Sequence, residues 1–319
     1  MADIVTATAK KALERPSERA KKWDKFKREL PLYFMIIPAF ILVAIYSYGA
    51  MVYTGIAFTR FVPTAGMRGS DFIGFDNFRT LFNMPNFWPI IRNTVVIAFS
   101  KMIGLIVVPV VFSLMLNEVR NTFAKRGLQT MVYLPHFISW VVLAGIFRDI
   151  LSPSTGIVNL SLMRLGADPI FFLGDQLWFP ITMIVTDVWK GFGFGSVIYL
   201  AGLTAIDPAL YEAAEIDGAN RWKQTWHVTL PGITSLIVLL SVLSLGNILN
   251  GGFDQIVNLY SPVVYATGDI LDTFIFRMGI ENAQFAIATT AGLFRSFISL
   301  LFVVAGYYLA DKIAGYRIY

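Results

Sequence analysis

FPITMIVTDVWKGFGFGSVIYLAGLTAI (residues 179–206), DPALYEAAEIDGANRWKQTWHVTLP (207–231) and ITSLIVLLSVLSLGNI (233–248) stand one after another in the chain: an apolar run, a polar and charged loop, and a second apolar run. A membrane span needs about 20 predominantly apolar residues, so the two runs read as neighbouring spans joined on one membrane face by the loop. Inside the loop, Asp207 is an N-cap acceptor and Pro208 takes the first helical position, where its missing donor costs nothing. A short helix to about Ile216 should follow. Glu212 and Glu215 are three apart and share a face, while Ala213 and Ala214 keep the backbone approachable. Gly218 permits the left-handed conformation that stops a helix. Residues 220–228 are expected to form a second helix, and Pro231 to start the following span. The product is a helix-turn-helix knuckle, acidic and small at its tip, suited to docking a soluble partner.

The rest of the chain agrees with a membrane setting. Of its 319 residues 56% are hydrophobic and 15% charged, with mean hydropathy +0.62; soluble domains are about 45–50% apolar and about 25% charged. The expected class is all-α and polytopic, with six transmembrane helices at about Leu32–Phe58, Thr94–Leu116, Leu128–Ile150, Phe179–Ile206, Ile233–Ile248 and Phe285–Ala310. The net charge of +5 does not point to nucleic acid, because nine of the 26 Lys and Arg fall within residues 1–30, directly before the first apolar run. We divide the chain into a cytoplasmic basic segment, 1–30, and a six-span domain, 31–319. The first run follows a long charged lead and is full length, so it reads as a retained span rather than a cleaved signal. With the N-terminus inside, sixteen Lys and Arg lie on inner segments, against seven outside (Arg60, Arg68, Arg79, Arg92, Arg148, Arg164 and Arg277). Both termini and residues 207–231 are then cytoplasmic. There is no cysteine, which removes disulfide and thiolate chemistry, and the two histidines, His136 and His227, form no metal constellation.

Glu212, Ala213 and Ala214, then Gly218, nine residues to Val228, then Leu230 and Pro231 resemble the "EAA" loop of binding-protein-dependent ABC importer permeases of type I. Val228 departs from the more usual Ile and keeps its β-branched shape. GFDNFRTLFNMPNFWPIIRNT (74–94) is similar to the segment before the second span in sugar-importer permeases. YLPHFISWVVLAGIF (133–147), LSPSTGIVN (151–159) and GGFDQIVNLYSPVVY (251–265) look like the branch that imports complex oligosaccharides and polysaccharide fragments. The resemblance implies that 207–231 is a coupling loop, with Glu212, Ala213, Ala214, Glu215, Gly218, Leu230 and Pro231 engaging an ATPase subunit. It further implies two ATPase subunits carrying ATP and Mg, a second permease expected to be a different chain, and an extracytoplasmic solute-binding protein in a bacterial plasma membrane. None of the eleven lysines precedes Ser or Thr, so the chain has no Walker A loop of its own. No cofactor and no catalytic residue are expected on it.

Ionisable and amide side chains within a bilayer are costly, which makes each a candidate for the substrate pathway. Those singled out are Asp187, Trp189 and Lys190 in the fourth span, Asn247, Asn250, Asp254 and Gln255 at the outer end of the fifth, and Arg295 in the sixth. Asp187 and Lys190 are three apart and are expected to pair along one helix face. Phe75, Phe78, Phe82, Phe87 and Trp88 should anchor at the outer interface. The glycines at 191, 193 and 195 follow no strand and read as close helix packing rather than a phosphate loop. A single-chain secondary transporter would instead show inverted repeats and several mid-membrane carboxylates. Asp187 is the one such acid here. A permease for amino acids or phosphate would share the 207–231 loop without the 133–159 segments.

Overall fold

The structure, a computed structural model, describes residues 18–246 and 249–314. Residues 1–17 of the basic segment and the predicted pathway residue Asn247 lie outside these. Two compact units result, Met1–Gly55 and Ile56–Tyr319. In the first, helix α1 (Glu18–Val43) contains Pro31 and Pro38, widens into a π-helical turn over Ala44–Tyr48 and returns to α over Gly49–Tyr53.

The second unit opens with a two-stranded antiparallel pairing of Thr59–Arg60 with Asp71–Phe72. Asn77 ties it down, its amide donating to the carbonyls of Ala57 and Thr59 at 2.8 and 2.9 Å. The principal helices that follow are α2 (Phe87–Asn117), α3 (Thr122–Tyr133), α4 (Trp140–Ile150), α5 (Trp178–Thr204), α6 (Pro208–Ile216), α7 (Arg221–Leu245), α8 (Phe253–Leu259), α9 (Leu271–Phe276) and α10 (Phe285–Ala314).

Among the described residues five helices are long and apolar enough to cross a membrane: Lys25–Phe58, Phe87–Asn117, Trp178–Thr204, Arg221–Leu245 and Phe285–Tyr308. The third predicted span, Leu128–Ile150, is not one straight helix. Thr122–Phe137 and Trp140–Ile150 meet at 103°, so a sixth span exists only as a bent pair. Local chemistry explains the break. Pro135 lies in a 3-10 turn, Ile138 is extended, and the Ser139 hydroxyl accepts from the Val142 amide at 3.4 Å, starting a new helix.

Close approach of α2 and α5 builds the centre of the unit. A Cβ on Gly104 would lie 2.4 Å from Val188, and one on Gly191 would lie 2.7 Å from Leu105. Gly193 faces α3 instead, where a Cβ would stand 2.2 Å from the Val132 carbonyl oxygen. The glycines therefore pack helices, as their apolar setting predicts. Three apolar clusters surround this seam. One joins Leu81, Phe87 and Ile90 to Leu271 and Phe274; a second joins Ile97, Phe179 and Met183 to Ile256 and Ile270; a third joins Val110, Tyr199 and Leu203 to Ile233. The expected aromatic belt is thus split. Phe75 and Trp88 are exposed, but Phe87 is fully buried among Phe82, Phe274 and Phe294, because the short helix before α2 folds back on α10.

Candidate coupling loop and membrane-embedded polar sites

The loop after α5 forms as its sequence predicts up to Gly218. The Asp207 carboxylate accepts from the Ala209 amide at 2.9 Å, with Pro208 next to it. At the other end Gly218 has φ +75°, its amide donates to the Glu215 carbonyl at 3.0 Å, and the Ala219 amide donates to the Ala214 carbonyl at 2.9 Å. This is a Schellman closure, which satisfies two of the carbonyls left over at the helix end. The acidic face is open: Glu212, Ala213 and Glu215 are exposed, and Ile216 at the tip is 86% exposed. Among the described residues neither carboxylate has a basic partner within 4.0 Å.

Beyond the turn the structure departs from expectation. The predicted second helix and the fifth span are one continuous helix, α7, rather than two joined at Pro231. Asn220 caps its start, accepting from the Lys223 amide at 2.9 Å. A π-helical turn over Thr225–Thr229 precedes Leu230 and Pro231. Widening the turn is how the helix passes a residue that brings no donor. Leu230 packs beside Val110, Tyr199 and Leu203, whereas Pro231 is exposed. Tyr211 of α6 donates its hydroxyl toward Thr229 at 3.1 Å, and Arg221 pairs with Glu118 at the end of α2. The first contact ties the two arms of the knuckle together, and the second ties the knuckle to α2.

Within the spans the predicted Asp187–Lys190 pair does not form. Asp187 faces Lys101 of α2 at 3.6 Å, and Lys190 donates to the His136 carbonyl at 2.9 Å with its ammonium 5.6 Å from the Trp140 ring. The bent third span decides this, since it brings the His136 carbonyl and the Trp140 ring to Lys190. Lys101 is 4% exposed and also donates to the Gly251 carbonyl at 2.9 Å and to Gln255 Oε1. Gln255, itself fully buried, donates to the Met183 carbonyl and to Thr186 Oγ1 at 2.9 and 2.7 Å. Its amide is thereby engaged with Lys101, Met183 and Thr186 inside the protein.

The remaining pathway candidates separate. Arg295 is 2.7 Å from Asp272 and donates to Asn250 Oδ1. Burial pushes the Asp272 carboxyl up from its usual value, against the opposing charge of Arg295. Trp189 is exposed, edge-on to Phe147, and Asp254 is exposed at the start of α8. Sequence reasoning missed Lys101, Asp272 and the Asp269–Arg277 pair, in which Arg277 also lies 4.4 Å from the Tyr265 ring. The signal for Lys101 was present, a lone ammonium midway along an apolar run.

The family model for "Binding-protein-dependent transport system inner membrane component" matches residues 106–315. The chain belongs to this family. This inner membrane component is 36% identical over 286 residues, 90% of each chain, to Protein LplB of Bacillus subtilis (strain 168). It is 35% identical over 302 residues, 95% of this chain and 94% of the other, to the polygalacturonan/rhamnogalacturonan transport system permease protein YteP of the same organism. Its fold matches a chain in the crystal structure of a bacterial ABC transporter involved in the import of the acidic polysaccharide alginate. The TM-score is 0.85 at 39% identity, over 92% of this chain and 99% of that one. A second alginate transporter structure, in complex with alginate pentasaccharide-bound periplasmic protein, matches with TM-score 0.84 at 38% identity, over 93% and 99%. The inner membrane component is accordingly a multi-pass ABC importer permease of type I fold, and not an enzyme.

Proposed function

We propose that the chain is one of two permease subunits of an ATP-driven importer. It passes oligosaccharides, cut from an acidic polysaccharide, from an extracytoplasmic binding protein into the cytoplasm by alternating access. The observation that carries the coupling role is the open acidic face of α6, closed at Gly218 and held between two spans. Among the described residues Glu212 and Glu215 have no basic partner within 4.0 Å, and they are placed for one on an ATPase subunit. The relatives named for alginate and for polygalacturonan/rhamnogalacturonan support the substrate class. Both termini and residues 207–231 lie on the cytoplasmic face, supported by the Lys and Arg bias. ATP and Mg are bound by the two ATPase subunits. Nucleotide drives the cycle only through its different affinity for the outward- and inward-open states. Trp189, Lys190, Asn247, Asn250, Asp254 and Arg295 remain the candidate pathway residues, while Asp187 and Gln255 hold Lys101.

The test is ATP hydrolysis by the reconstituted transporter with its binding protein, across a panel of neutral and acidic oligosaccharides. Stimulation by the acidic members, lost in Glu212→Ala and Gly218→Pro, is the expected result. Stimulation by amino acids or phosphate and by no glycan would overturn the substrate assignment.

A further inference from the structure

The link between α7 and α8 is held from two sides. Asn250 Oδ1 accepts from Arg295 of α10, whose other guanidinium nitrogen is 2.7 Å from Asp272 of α9. The next residue, Gly251, gives its carbonyl to Lys101 of α2 at 2.9 Å, and Lys101 in turn faces Asp187 of α5 and Gln255 of α8. Gly252 follows with φ +87°, where an added Cβ would stand 2.5 Å from the Lys101 ammonium. Two cations, each matched to an aspartate on another helix, thus converge on adjacent residues of one short link.

Stability alone does not account for this arrangement. Ionisable groups inside a bilayer are costly, and a buried ion pair can often be replaced by apolar residues without loss. What paired and fully bonded charges do supply is a unique position. The residues they hold, Asn250 and Gly251, follow in the chain after α7, whose last residue is Leu245, and α7 begins at the coupling loop. A displacement applied at Arg221 through Pro231 travels along a continuous helix, and its effect depends on whether the other end is fixed.

We propose that Lys101 and Arg295 are positioning residues that anchor the outer end of α7. Displacement of the coupling loop then tilts the helix against a fixed point and opens the pathway, instead of shifting the helix end without consequence. The proposal rests on the reading of 207–231 as a coupling loop. Released from the anchor, the ATPases meet less resistance, and hydrolysis runs without transport.

The experiment uses the complete transporter in proteoliposomes and measures import and ATP hydrolysis, with and without binding protein, for Lys101→Met, Arg295→Met and Asn250→Ala. Asn250→Ala removes the acceptor on the link while leaving Arg295 paired with Asp272, so it tests the anchor without stranding a charge. The expected result is binding-protein-independent hydrolysis raised by about fivefold or more, the lower range of a typical coupling energy, with import reduced to match. Lys101→Arg and Arg295→Lys should restore part of the coupling. Import and hydrolysis falling together in assembled Asn250→Ala transporter, or neither changing, would overturn the proposal. Glu212→Ala is run alongside. If it uncouples while the anchor variants do not, the anchor alone fails; if it is silent, the coupling reading and the anchor fail together.

Discussion

Two glycines show how different the demands on one residue type are. At Gly218 nothing lies within 4 Å of an added Cβ, so the constraint is φ +75° alone. Gly218→Ala should cost about 1–2 kcal/mol, the penalty for a side chain in the left-handed region, and Gly218→Asn distinctly less. At Gly193 the obstacle is the Val132 carbonyl, a backbone atom that cannot rotate away. Gly193→Ala should destabilise by about 1–3 kcal/mol, read from denaturant titration of the purified subunit, and no polar substitution should rescue it. Lys101 is the third residue-scale case. Its loss strands Asp187 and Gln255, so Lys101→Met should cost about 3–5 kcal/mol, whereas adding Asp187→Leu should recover much of that. A double variant no more stable than the single one would show that Asp187 is not the partner that matters.

At the scale of elements, caps and breaks lie in local sequence and most of them form as read. Asp207, Pro208 and Gly218 bound α6 as expected. Asp207→Ala should weaken that helix by about 1 kcal/mol, seen as faster hydrogen exchange at the amides of its first turn while α5 and α7 stay protected. Apolar content places the third span, but it does not give the 103° angle at which its two helices meet. Pro135 and Ser139 mark the break, but a proline inside a span is also compatible with continuity, as Pro109 within α2 shows. At Pro231 the chain is instead more continuous than the sequence suggests. A proline that reads as a start is carried inside a longer helix by the π-helical turn before it.

For the molecule as a whole, the distribution of Lys and Arg makes orientation testable, and the absence of cysteine makes the test clean. Single cysteines at Glu215 and Arg164 should label oppositely with a membrane-impermeant maleimide in intact cells. Arg164→Cys should react and Glu215→Cys should react only after the membrane is opened. Reversal of that pattern would place the coupling loop outside and end the proposed function.

By itself the sequence determined the membrane class, the approximate places of the apolar spans, and the capped acidic helix between the fourth and fifth. These depend on apolar run length and on contacts a few residues apart, which are written in order along the chain. Only the tertiary structure decided which charge meets which. Lys101 reaches Gly251 across 150 residues of chain, Arg295 reaches Asn250 across 45, and Asp187 turns away from the Lys190 that stands three positions on. Pairing inside a bilayer is settled by which helices pack together, because an unpaired charge there has no water to fall back on and takes the partner that packing brings.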